Sequence, residues 1–176
     1  MFEHPLPLAI KPVKLARQEG KLSGFMPLKQ LSSLAADCVS DEGRVEADLQ
    51  LRMEQARPEI RGTANVEVKL VCQRCLEPVA VKVDVSIALG FVQNEAQMTE
   101  LPESLEPFLL EEEEVPLADL LEQELILALP IVAYHDTCEP YPYAGKEEAE
   151  AAVADEKPNP FAVLEQLKGS LKKSDK

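Results

Sequence analysis

The sequence predicts an α+β protein: an antiparallel β-meander able to curl toward a barrel, flanking helices and a flexible C-terminal tail. Two changes of period and one of composition lead there. Between residues 44 and 89 apolar and polar residues alternate with a period of two, the mark of strands with one buried face. On either side leucines recur at three- and four-residue spacings, which is the helical period. Beyond residue 138 large aliphatic residues thin out while Glu and Ala take over, leaving too little apolar surface to fold alone.

In chain order, the first helical signal is Pro27 to Ala35, where Pro27 opens a run with Leu28, Leu31 and Leu34 on one face. The first strand follows: Val45, Ala47, Leu49, Leu51 and Met53 alternate with Arg44, Glu46, Asp48, Gln50 and Arg52. Ala64 to Cys72 repeats the pattern with Val66, Val68 and Leu70, and Val79 to Leu89 gives it most cleanly. Three such strands with short connections make an antiparallel meander. The stretch VCQRCLEP, Val71 to Pro78, falls between the second and third strands and so on a hairpin tip.

After Gly90 the chain reads as irregular and acidic up to Glu114. A helix then spans 116–129, with Leu117, Leu120, Leu121, Leu125 and Ala128 on one face and Pro130 as its stop. This divides the chain into a core domain, 1–138, an acidic linker, 139–158, and an amphipathic tail, 159–176. In the tail Asn159 is an N-cap and Pro160 the first helical residue, and Phe161, Leu164 and Leu167 share a side. Such a helix is either a docking peptide for a partner or an arm packed back on its own core.

Of the 176 residues 45% are apolar but only 5% aromatic, with no Trp, so the core must be built from Val, Leu, Ile and Ala. The opening MFEHPLPLAIKPVK lacks the basic start and apolar run of a secretory signal, and no run approaches the ~20 apolar residues of a membrane helix. The expectation is a cytoplasmic protein without a membrane partner, whose cysteines are reduced thiols or metal ligands. Charge is unevenly spread. Residues 1–90 hold 12 basic and 12 acidic residues, residues 91–156 hold 18 acids against Lys146, and the last 20 hold five lysines and two acids. A middle this acidic repels a phosphate backbone and attracts basic proteins, or is a solvated face. Glu111, Glu112, Glu113 and Glu114 are its densest run and a candidate partner surface, although glutamates ahead of a helix also suit its dipole. Lys11, Lys14, Arg17 and Lys21 are expected to pair with the acidic half.

Cys72 and Cys75 have the spacing of half a zinc site, and His135 and Cys138 repeat it about 60 residues on. Together they make a Cys3His set of the type that holds Zn. Two other readings stand beside it. Cys72 continues the apolar face of its strand and works as a core thiol, and a C-x-x-C pair also serves redox chemistry, for which Arg74 would favour thiolate. Cys38 is left over as a thiol at a helix end. No catalytic residue emerges: the two histidines are His4 and His135, and no nucleophile elbow, phosphate loop or dinucleotide fingerprint is present. A small-molecule substrate is therefore not expected. No strand interleaves aromatic with basic residues as RNA-reading sheets do.

Three segments, CQRCLEPV (Cys72–Val79), LEQELILALPIVAYHDTC (Leu121–Cys138) and KPNPFAVLEQLK (Lys157–Lys168), together with the N-terminal PLPLAIKPVKLA, make the chain similar to the YceD family of large ribosomal RNA subunit accumulation proteins. The resemblance implies a non-enzymatic bacterial factor for 23S rRNA accumulation and large-subunit biogenesis. Its partner would be a component of the nascent subunit, either 23S rRNA or a basic ribosomal protein or assembly factor. Direct rRNA binding and zinc-dependent redox or metal handling are the alternatives.

Overall fold

A computed structural model describes residues 2–142. The chain divides into a compact unit, Met1–Pro140, and a second stretch, Tyr141–Lys176. Phe161, Leu164, Leu167 and all of the linker after Pro142 lie outside the described residues.

The meander forms where period-two alternation predicts it, as β3 (Arg44–Glu54), β4 (Arg57–Val71) and β5 (Pro78–Val92). Two further strands extend it. β2 (Lys21–Pro27) pairs antiparallel with β3, and β6 (Glu106–Leu109) pairs parallel with β5, giving the order β2-β3-β4-β5-β6. The sheet is therefore mixed and open, not an antiparallel barrel. Closure would need β2 to meet β6, but the free edge of β2 is already taken. Phe25 donates its N–H to the His4 carbonyl at 2.9 Å and accepts from the Leu6 N–H at 2.8 Å. At the other edge β6 has only four residues and includes Pro107, which has no N–H to donate. Gly62 lets β3 cross β4 closely, because a Cβ there would collide with the Asp48 carbonyl oxygen.

The helices cover the apolar face. α1 (Pro12–Arg17) follows β1 (Ala9–Ile10), a two-residue strand paired with β7 (Val115–Pro116). Leu28, Leu31 and Leu34 are all fully buried, but the chain there splits into a 3-10 turn, Leu28–Gln30, and a short α2, Ser32–Asp37. The region read as irregular holds α3 (Glu95–Met98), capped by Asn94, as well as β6 and β7. α4 (Leu117–Leu127) buries Leu117, Leu120, Leu121 and Leu125 completely, each such burial contributing about 1.5–3 kcal/mol. Ala128 is not on that face: it is the exposed C-cap, because the helix ends one turn short of Pro130. Four leucines of α4 thus meet Val66, Val68, Val83 and Ile87 of the sheet in one apolar cluster. Among the described residues no helix is long and apolar enough to cross a membrane.

α2 has no cap of its own, since its N-cap is Leu31. The Glu122 carboxylate of α4 fills that role, accepting from the Ser33 and Leu34 N–H groups at 2.5 and 2.9 Å. An acid borrowed from one helix therefore satisfies the orphan donors of another.

Candidate functional site

The β4–β5 ladder ends with Val71 opposite Pro78, so residues 72–77 form the hairpin tip. Two local features shape it into a knuckle. The Cys72 carbonyl accepts from the Leu76 N–H and the Glu77 carbonyl accepts from the Cys72 N–H, both at 2.9 Å. Leu76 takes φ +64°, a left-handed turn that brings the chain back so that Glu77 meets Cys72. After α4 the chain returns to this tip. The Gln73 N–H donates to the Ala133 carbonyl at 2.9 Å, and the Arg74 guanidinium lies over the Tyr134 ring, 5.6 Å from its centroid. Those two ties deliver His135 and Cys138 to the cysteines.

The four ligand atoms of Cys72, Cys75, His135 and Cys138 all lie within 4.8 Å of one another, close enough for one metal ion. Cys72 Sγ is 3.8 Å from Cys138 Sγ, and Cys75 Sγ is 3.4 Å from His135 Nδ1. Cys72 is buried and the other three are half-buried. Their electrostatics are asymmetric. Burial pushes the Cys72 thiol up, but the backbone N–H groups of Cys75, Arg74 and His135 and the Cys75 thiol outweigh it and bring Cys72 down to about 5. Cys138 is pushed up to about 11, first by burial and then by hydrogen bonds and charge from Cys75 and Cys72. Arg74 thus favours the Cys72 thiolate through its backbone N–H. Cys38 stands apart at the C-cap of α2, donating to the Leu34 carbonyl at 3.1 Å. Burial and the neighbouring Asp37 hold its thiol above the usual range.

The acidic run lies ahead of α4, as its position in the sequence implied. Val115 and Pro116 separate Glu111–Glu114 from α4, whose first turn holds only Asp119. The glutamates therefore precede the helix and form no part of its first turn. All four are exposed. Glu111, Glu112, Glu114 and Asp119 rim a groove of about 380 Å³ with Phe108, Leu109, Val115 and Pro116 in its walls. Glu113 turns away to Lys11 at 3.3 Å, the pairing expected for the basic N-terminal stretch. Lys21 instead pairs with Asp48, at 3.7 Å. The groove's apolar walls were missed in the sequence, although EPFLL and VPL bracket the glutamates on both sides.

Residues 60–168 match the family model described as large ribosomal RNA subunit accumulation protein YceD. A protein of Haemophilus influenzae named large ribosomal RNA subunit accumulation protein YceD is similar throughout. It is 34% identical over 170 residues, which cover 93% of this chain and 96% of that protein. No solved structure matches the chain significantly.

Proposed function

The chain belongs to the YceD family, and from that premise we propose that it is a non-enzymatic cytoplasmic factor for large-subunit ribosomal RNA accumulation, acting by binding a basic protein of the assembling subunit. The observation that carries this reading is the groove beside β6 and α4. Its walls are apolar and four carboxylates rim it. The occupant that suits it is a segment with an apolar face and flanking Lys or Arg, as proteins that bind a phosphate backbone carry. A phosphate backbone itself would be repelled there.

The reading extends to the cysteine corner, which we take as a structural zinc site formed by Cys72, Cys75, His135 and Cys138. Zn–S bonds of about 2.3 Å and Zn–N bonds of about 2.0–2.1 Å in a tetrahedron give S···S edges of about 3.8 Å and S···N edges of about 3.5 Å. The separations of 3.8 and 3.4 Å fit that figure. The ion would tie the segment after α4 to the hairpin tip, and with four protein ligands it would leave no open position for substrate. Phe161, Leu164 and Leu167 are assigned, on their spacing alone, to a second contact with the partner.

The test is crosslinking of the tagged chain in growing cells, wild type against Glu111→Lys/Glu112→Lys/Glu114→Lys. Capture of a basic large-subunit protein by the wild type alone, with large-subunit rRNA falling in the variant, is the expected result. Equal capture and equal rRNA would overturn the reading.

A further inference from the structure

A second concave site lies away from the cysteines and on the other side of one wall of the groove: its Leu110 sits between Leu109 and Glu111 of the groove, and its Phe91 packs edge-on against Phe108, ring centroids 5.5 Å apart. The chain has six arginines, all among the described residues. Arg44, Arg52 and Arg61 pair with carboxylates of Glu46, Glu54 and Glu59, and Arg74 stacks on Tyr134. Arg17 and Arg57 have no carboxylate partner among the described residues, and both line the same cleft, of about 350 Å³. In a chain of net charge −14, two guanidiniums without a carboxylate partner lining one cleft are not the expected result of surface mixing. A ligand's negative group would complete them, and the planar fork of Arg suits phosphate oxygens.

The rest of the cleft argues for more than a bare anion. Its apolar wall includes Val13, Met53 and Phe91, and three side-chain amides, Gln55, Gln93 and Gln97, also line it. Gln97 Oε1 accepts from the Gln93 N–H at 2.8 Å, so its amide N–H2 has no partner among the described residues. Amides of this type present both donor and acceptor to a base edge. The volume is at the small end for a ligand site, the size of one nucleotide and not of a polymer. The β3–β4 hairpin turn forms part of the rim. Gln55 and Ala56 both adopt positive φ, +49° and +64°, in a two-residue turn where Asn-Gly would be unstrained. One carboxylate, Glu100, faces the cleft and opposes an anion; its backbone carbonyl accepts from Arg57 at 3.4 Å.

We propose that this cleft binds one phosphorylated nucleotide, either as a free mononucleotide or as the 5′-phosphorylated end of a single-stranded RNA. Arg17 and Arg57 take the phosphate, the apolar wall takes the base and sugar, and the glutamine amides take the base edge. This site shares a wall with the acidic groove but rests on different residues, Arg17 and Arg57, and survives if that reading fails.

The experiment titrates the full chain with each of the four 5′-mononucleotides, with the nucleosides, with inorganic phosphate, and with a short RNA bearing either a 5′-phosphate or a 5′-hydroxyl. Binding is followed by calorimetry and by amide shifts. Nucleotides are expected to shift the amides of Val13, Gln55, Arg57 and Gln97. Arg17→Ala and Arg57→Ala should each weaken binding about tenfold or more, the loss of a charge-assisted contact. Glu100→Gln should tighten binding, and Arg44→Ala should leave it unchanged. Tighter binding of the 5′-phosphorylated RNA than of mononucleotide supports an RNA end as ligand, and binding of mononucleotide alone supports a free metabolite. The proposal is overturned if nucleosides or inorganic phosphate bind as tightly as nucleotides, if the arginine variants keep full affinity, or if no nucleotide binds at millimolar concentration. Because both arginines lie on the rim, their loss is not expected to unfold the chain, which circular dichroism checks.

Discussion

Cys72 and Cys138 come within 3.8 Å of each other across 66 positions of sequence, whereas Glu111, Glu112 and Glu114 stand together because they are neighbours in the chain. The first grouping exists only when the hairpin, α4 and the segment after it are all in place, so whatever binds there stabilises the fold. The second is almost as dense in the unfolded chain, so it does little for folding and its charge remains available to a partner. On the reading proposed above, one corner of the molecule serves stability and another binding, and each assignment can be broken separately.

The largest effect is expected at the cysteine corner. Stripping metal from the purified chain, or making Cys138→Ser, should lower stability by at least about 4 kcal/mol, the linkage expected when free zinc exceeds its dissociation constant a thousandfold. Chemical denaturation with and without chelator measures the loss, and metal analysis should return one zinc per chain. Zinc-free protein of unchanged stability would remove the contrast at its stronger end. Next comes the triple charge reversal at Glu111, Glu112 and Glu114. Affinity for a basic partner should fall tenfold or more, since like charges replace complementary ones, while the melting curve moves by no more than about 0.5 kcal/mol, as for other exposed substitutions. A variant that melted early instead would place these residues with the fold.

Within the acidic segment the comparison can be sharpened by a single residue. Glu122 belongs to the same negative block, yet it caps α2 by accepting from Ser33 and Leu34. Glu122→Ala should cost about 1 kcal/mol, the usual worth of an N-cap, and leave partner affinity unaltered. Equilibrium denaturation alongside the binding assay separates the two. Loss of affinity without loss of stability would return Glu122 to the binding face.

This residue also shows what the sequence could convey. The period-two runs of β3, β4 and β5 announce themselves because every second side chain must enter the core. The pairing of C-x-x-C with H-D-T-C was legible from shared spacing and residue type. By contrast β2 carries only a short, Gly-interrupted alternation in KLSGFMP, and β4 begins at Arg57 behind a Gln55–Ala56 turn that has none of the Gly or Asn such a turn prefers. Net charge says how acidic a segment is, but the direction of each carboxylate depends on neighbours far along the chain, 89 positions away for Glu122 and Ser33 and 102 for Glu113 and Lys11. The arginine cleft was hidden for the same reason, because its walls come from five separate stretches of chain.

The smallest predicted effect lies at Glu124, two residues further along α4. Burial, and then the charge of Glu106, hold its carboxyl above the usual range. A carboxylate whose pKa is raised on folding is penalised when ionised, so its contribution is most favourable below the unfolded-state value near 4.3 and is lost as pH rises through the folded one. Glu124→Gln removes that penalty. It should therefore melt above the wild type at pH 7, with the advantage shrinking to nothing as the pH falls below about 4, where both proteins carry a neutral side chain. Glu111→Gln, on the exposed rim of the groove, should change stability at pH 7 by no more than about 0.5 kcal/mol. If the two substitutions behaved alike, the half-buried acids of α4 and the exposed acids of the groove would be one electrostatic population. The distinction between a carboxylate serving the fold and one held out for a partner would then fail at its finest point.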